Sequence, residues 1–201
     1  PASKKGVWAV KFDGSCYLKR DQSDASFPAQ SPHVFISYLF NSTFSGIFNH
    51  NNICLGTSDS AGQVNISHNQ PSPAVRRAYP KPRLTVAVNN WPQSGAGGWF
   101  SPVGSLPYDG GWHLMQIKVD GTVPSITAKL DAAPFAMAGS GTIVNPSYFT
   151  GHNNLVPSWY VGGLPAAVGG LPAGQWYRGI LAEMFYYAGQ DIDINDPAIP
   201  E

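Results

Sequence analysis

Hydrophobic and polar positions alternate at period two in several short stretches of this chain, the spacing that places every second side chain on one face of a strand. Val7 to Phe12 follows it up to the turn Asp13-Gly14, and Cys16 to Lys19 resumes it, predicting strand, turn and strand. His33 to Phe40 is a near-continuous β-branched and aromatic run, as expected of a central strand covered on both faces. Shorter extended pieces are predicted from Gly46 to Phe48, Ile53 to Leu55 and Gln63 to His68. Arg83 to Val88 follows, with Leu84, Val86 and Val88 on one face. Trp112 to Asp120 alternates most clearly, with Met115, Ile117 and Val119 sharing a face. Its turn at Asp120-Gly121 leads to Ser125 to Leu130, which predicts a hairpin. Gly179 to Tyr187 is the last strong strand.

Two stretches break the pattern. Asn89 to Gly111 is too irregular for any element and reads as a long loop. Ala132 to Ser158 is rich in Gly, Pro and Asn, with short extended pieces at Thr142 to Val144 and, just beyond it, Tyr160 to Gly162. A helical turn near Pro165 to Gly170 would be kept short by its glycines. Many short strands with almost no helical periodicity predict an all-β, antiparallel two-sheet sandwich, one domain over residues 1–201.

Composition sharpens this picture. Of 201 residues, 22 are Gly and 18 Pro, and charged residues make up 12%, about half the usual ~25%. Only Glu183 and Glu201 among the acids are glutamates, so strong helix formers are scarce and a helical bundle is excluded. The 43% hydrophobic and 12% aromatic shares supply a large core. Twelve bases balance twelve acids, so no net field attracts nucleic acid or an anionic membrane. The charges are polarised, with Lys4, Lys5, Lys11, Lys19 and Arg20 early and Glu183, Asp191, Asp193, Asp196 and Glu201 late. First and last strands that lie side by side would let them attract.

Cys16 and Cys54 alone cannot make a four-ligand zinc site. They could form one disulfide in an oxidising compartment or remain two buried thiols. No apolar run reaches bilayer length and the start has no hydrophobic signal core, so a soluble chain is expected. The missing initiator Met suggests a processed product or an excised domain.

Four segments, in order, resemble the concanavalin A-like (laminin-G-like) jelly roll. They are Val10-Lys11-Phe12-Asp13-Gly14-Ser15 with Tyr17-Leu18; Phe35 to Phe40; Gly110 to Gly121 with its Gly-Gly-Trp-His; and Tyr160-Val161-Gly162-Gly163 followed by Tyr177 to Met184. The resemblance covers nearly the whole chain and implies a jelly-roll module. The closing segment departs from the common form, with Ala182 where Asp is frequent and Asp191-Ile192-Asp193-Ile194 in place of the usual ending. That form is similar to variants in bacteriophage virion proteins, which implies a virion or extracellular placement.

Catalysis is not expected. Glucanases of this fold need a Glu-x-Asp-x-x-Glu strand that sets two carboxylates about 5–5.5 Å apart, and here Glu183 stands alone, expected as a structural carboxylate bonded to backbone amides. His50, His68, His113 and His152 lie on separate segments without a marked serine. Gly95-Ala96-Gly97-Gly98 lacks the Lys and helix of a phosphate loop. No cofactor is implied. Calcium is the metal for which the sequence offers oxygen donors, with Asp109, Asp120, Asp191, Asp193 and Asp196 as candidates and Asp191 and Asp193 on one side if extended.

Recognition is the remaining chemistry. Aromatic faces stack on the apolar faces of sugars while amides satisfy hydroxyls. The long loops hold both, and Asn90, Trp91, Trp99, Tyr108, Asn153, Asn154 and Trp159 are the candidate ligand-binding residues. The competing reading tucks these tryptophans back as small cores that hold their loops. The functional expectation is a non-catalytic lectin-like module binding glycan or a partner protein. The alternative is a structural capsid-decoration or fibre protein that self-associates through a sheet or edge. Asn41-Ser42-Thr43 and Asn65-Ile66-Ser67 match the glycosylation triplet.

Overall fold

The apolar run from His33 organises the molecule, because a strand without a polar face must be covered on both sides. In the computed structural model the described residues are 9–21, 33–43, 52–57, 64–69, 82–88, 98–120, 122–123, 125–140, 158–164, 175–196 and 199. Their strands are β1 (Ala9–Asp13), β2 (Leu18–Asp21), β3 (His33–Thr43), β4 (Asn52–Thr57), β5 (Val64–Asn69), β6 (Arg83–Val88), β7 (Gly98–Phe100) and β8 (Asp109–Asp120). The others are β9 (Ser125–Leu130), β10 (Ala133–Phe135), β11 (Ala138–Ser140), β12 (Ser158–Val161), β13 (Gly163–Leu164), β14 (Gln175–Trp176) and β15 (Arg178–Gly189). There is no helix among the described residues.

The strands form a six-stranded sheet, β1-β15-β3-β8-β9-β10, a seven-stranded sheet, β11-β7-β6-β5-β4-β12-β2, and a small β13-β14 pair. One apolar cluster joins the two large sheets. Phe12, Ile36, Tyr38, Phe40, Met115, Ile117 and Leu181 come from the first and Ile66, Leu84, Val86 and Trp99 from the second. This is the expected antiparallel β-sandwich jelly roll. β3 is central, between β15 and β8, and its other face is covered too, with Phe35 at 5% and Leu39 at 7% exposure. The β8-β9 hairpin forms in the expected register, Met115↔Leu130 to Asp120↔Ser125. First and last strands are neighbours, β1 pairing β15 from Ala9↔Ala182 to Asp13↔Arg178.

The loop expectations need correction. Gly98–Phe100, inside the stretch read as irregular, is a strand because β6 offers it a ladder, Val86 opposite Trp99, and because Trp99 buries against the core. β8 begins at Asp109, three residues earlier than its alternation indicates. β10 and β11 occupy part of the second irregular stretch, added to β9 and β7. Cys16 is exposed with a free thiol, not buried. The pieces expected at 46–48 and 142–144 and the turn near 165–170 lie outside the described residues.

Candidate functional site

Three of the seven candidate ligand-binding residues, Trp99, Tyr108 and Trp159, are among the described residues. Trp99 in β7 and Tyr108 just before β8 belong to the core, at 5% and 4% exposure, so neither offers a ring to a ligand. Trp159 is in β12, between β2 and β4, opposite Arg20 and Thr57, rather than in a loop. Asn90, Trp91, Asn153 and Asn154 lie outside the described residues.

Tyr108 instead completes a polar device inside the core. The Tyr38 hydroxyl meets His68 Nε2 at 3.0 Å and the Tyr108 hydroxyl meets His68 Nδ1 at 2.7 Å. A neutral imidazole has one N–H and one acceptor nitrogen, so one tyrosine accepts and the other donates. His68 is fully buried, and desolvation lowers its pKa from 6.5 to about 3. It bridges β3 to β5 as a neutral group whose two ring nitrogens are both taken by tyrosine hydroxyls. Nearby, Ser42 and Tyr177 share a buried hydroxyl bond of 2.8 Å.

His113 behaves in the opposite way. Its Nδ1 lies 2.7 Å from Asp131 Oδ2 and its Nε2 3.0 Å from Asp109 Oδ1, so both nitrogens can donate only when the ring is protonated. Partial burial works against that charge, but the bonds to Asp131 and Asp109 outweigh it and raise the pKa. His113 in turn holds the Asp109 carboxyl below its usual range, aided by the Gly111 amide. Asp131 also accepts the Leu114 amide through Oδ1, with its own backbone at φ +50° in the two-residue turn joining β9 and β10. Protonated His113 therefore ties that turn to the start of β8. The sign follows: this stability is present below about pH 6.5 and is lost as pH rises through the raised folded-state pKa. By nuclear magnetic resonance, His113 is expected to titrate above 6.5. Asp131→Asn, which keeps the turn because Asn tolerates positive φ, is expected to lower that pKa.

The five candidate calcium donors do not meet. Asp109 serves His113, and Asp193 caps a turn by accepting the Asn195 amide at 2.9 Å. Asp196 donates its own amide to the Asp193 carbonyl. Asp120 and Asp191 converge, together with His33. Glu183 is exposed at φ +48°, where β15 carries one extra residue between Ala182 and Phe185 opposite β3. No hydrogen bond reaches its carboxylate among the described residues, so the expected backbone-bonded role is replaced by a bulge position. The Asn41 amide nitrogen donates to the Gly110 carbonyl at 2.6 Å within a half-buried strand position, which argues against glycosylation there.

Composition and spacing did not single out an exposed tyrosine that packs on a half-buried one of the second sheet. Tyr17, 37% exposed, tilts against Tyr160 with ring centroids 5.6 Å apart, and Leu18 beside it is 50% exposed. The signal in the sequence was faint. Tyr17 opens a return strand and Tyr160 lies in β12, and only the β2-β12 pairing brings them together.

No family model matches the sequence, and no curated protein does. Solved structures do match. Domains LG4-5 of the mouse laminin alpha1 chain align over 94% of this chain and 43% of that one, at 19% identity and TM-score 0.56. This chain shares the β-sandwich jelly-roll fold of those domains. The chain spans less than half the length of that laminin structure. The chain also matches the Ruminococcus gnavus IT-sialidase CBM40 bound to α2,3-sialyllactose, over 94% of this chain and 92% of that one, at 10% identity and TM-score 0.57. It also matches NanB sialidase from Streptococcus pneumoniae over 96% of this chain and 28% of that one, at 11% identity and TM-score 0.55.

Proposed function

We propose that this chain is a non-catalytic, lectin-like module that binds a glycan or a partner protein at a virion or cell surface. The observation that carries the reading is the exposed Tyr17 ring leaning on Tyr160, since an open aromatic face is what stacks on the apolar face of a sugar. Tyr160 follows Trp159 in β12, and Asn153 and Asn154 precede it closely in sequence, so this strand connects the amide-rich segment to the aromatic pair. Asn90 and Trp91 are the matching candidates in the other loop. A sialyllactose-bound CBM40 with the same fold supports a sugar as ligand. The virion placement rests on the phage-like Asp191 to Ile194 ending.

The test is a glycan array that includes sialyllactose, followed by titration of the strongest hit. Tyr17→Ala, Tyr160→Ala and Trp91→Ala, each with an unchanged melting temperature, are expected to weaken binding about three- to tenfold. An array without a hit, together with stoichiometric self-assembly by mass measurement, would replace this reading with the structural decoration role.

A further inference from the structure

At one end of the six-stranded sheet, three side chains of metal-ligating type converge from three elements. His33 opens β3, Asp120 closes β8 directly opposite it, and Asp191 lies two residues beyond Gly189, the β15 residue paired with His33. His33 Nδ1 is 3.5 Å from Asp120 Oδ1 and 3.8 Å from Asp191 Oδ1, and the three donors all lie within 4.8 Å of one another. Ligands bound to a tetrahedral zinc ion at about 2.0–2.2 Å are themselves roughly 3.4 Å apart. The two carboxyl groups thus lie close to that spacing from His33 and within 4.8 Å of each other. Asp120 is fixed in place by a turn, its Oδ1 accepting the Thr122 amide and hydroxyl and the Val123 amide, which leaves Oδ2 of the same carboxylate as the oxygen that meets the ion. Asp191, half exposed and beyond the strand, supplies the adjustable ligand.

From this geometry we propose that His33, Asp120 and Asp191 form a binding site for a divalent cation of the zinc type. The imidazole decides the class, because calcium and magnesium favour all-oxygen shells, whereas one nitrogen and two carboxylates suit Zn2+. Bound there, the ion fastens the segment leaving β15 to the ends of β3 and β8. Lys118 is its built-in competitor: its Nζ is 2.6 Å from Asp191 Oδ1 and must yield that oxygen for the ion to enter. Cys16 and Cys54 take no part, so the argument against a cysteine zinc site does not bear on this one.

The test is calorimetric titration of the full chain with Zn2+ in a non-chelating buffer, alongside Ca2+, with thermal melts of every variant. One saturable Zn2+ site per chain is expected. His33→Gln and Asp191→Asn are each expected to weaken it at least about tenfold; Asp191→Asn changes an exposed residue outside the strands and so keeps the test valid if His33→Gln fails to fold. Lys118→Met is expected to tighten binding about tenfold by removing the rival cation. His113→Gln, whose ring is engaged by Asp109 and Asp131, leaves the site unchanged. No saturable binding, or a site that survives Asp191→Asn, would overturn the proposal. So would Ca2+ binding as tightly as Zn2+, or weaker Zn2+ binding by Lys118→Met.

Discussion

Acidifying this protein from about pH 6.5 to about pH 4.5 is expected to cost about 2 kcal/mol of unfolding free energy, because of His68 alone. The unfolded chain takes up a proton at that ring near 6.5, whereas the folded chain does so only near 3. Across this window the unfolded state binds more protons, so stability falls by up to about 1.4 kcal/mol for each pH unit lost. Above about pH 7.5 the ring is neutral in both states and contributes no slope. Carboxylates lowered in the fold, Asp109 and Asp120 among them, add a second acid loss only below their ordinary range near 3.8. Urea unfolding at a series of pH values measures the slope. His68→Gln, which cannot titrate but can still donate and accept, is expected to flatten it. His68→Leu, which removes the bonds to Tyr38 and Tyr108, is expected to cost about 2–4 kcal/mol at neutral pH. A slope that persists in His68→Gln would assign the acid sensitivity to another group.

Gly162→Ala is expected to destabilise the fold by about 3–5 kcal/mol, a large part of the ~5–15 kcal/mol that holds a typical domain together. Two costs coincide. Gly162 sits at φ +88°, which a side chain adopts poorly, and an added methyl would overlap the ring of Phe12. Phe12 is 2% exposed and meets Tyr177 edge to face at 6.1 Å, so it has little room to withdraw. The Gly162 carbonyl accepts the Tyr177 amide at 2.8 Å, fixing the backbone where the overlap occurs. A drop under about 1 kcal/mol at Gly162, by the same urea assay, would mean that Phe12 repacks.

These two positions also separate what could be read from the chain and what could not. The Tyr160-Val161-Gly162-Gly163 segment stood out by resemblance, but the reason Gly162 is glycine is Phe12, about 150 residues away along the chain. His68 looked like one of several scattered histidines. Its partners Tyr38 and Tyr108 come from β3 and from the segment before β8, which only sheet packing brings together. For the same reason Trp99 and Tyr108 read as exposed loop aromatics and are core. Their local stretch is Gly- and Pro-rich, and nothing nearby in sequence shows the β6 edge that pairs with Gly98–Phe100. The pairs Tyr17 with Tyr160 and His33 with Asp120 likewise exist only through strand pairing.

Alternation by itself determined the all-β class, the buried faces of β3, β6 and β8 and the β8-β9 hairpin, because the side-chain period of a strand is a local property that hydrophobic burial reads directly. Which strands become neighbours, and so which aromatic is exposed, which histidine is neutral and which is charged, was decided by the tertiary structure. Those outcomes depend on contacts between residues far apart in the chain, and their desolvation and charge pairing exist only after the two sheets have closed on each other.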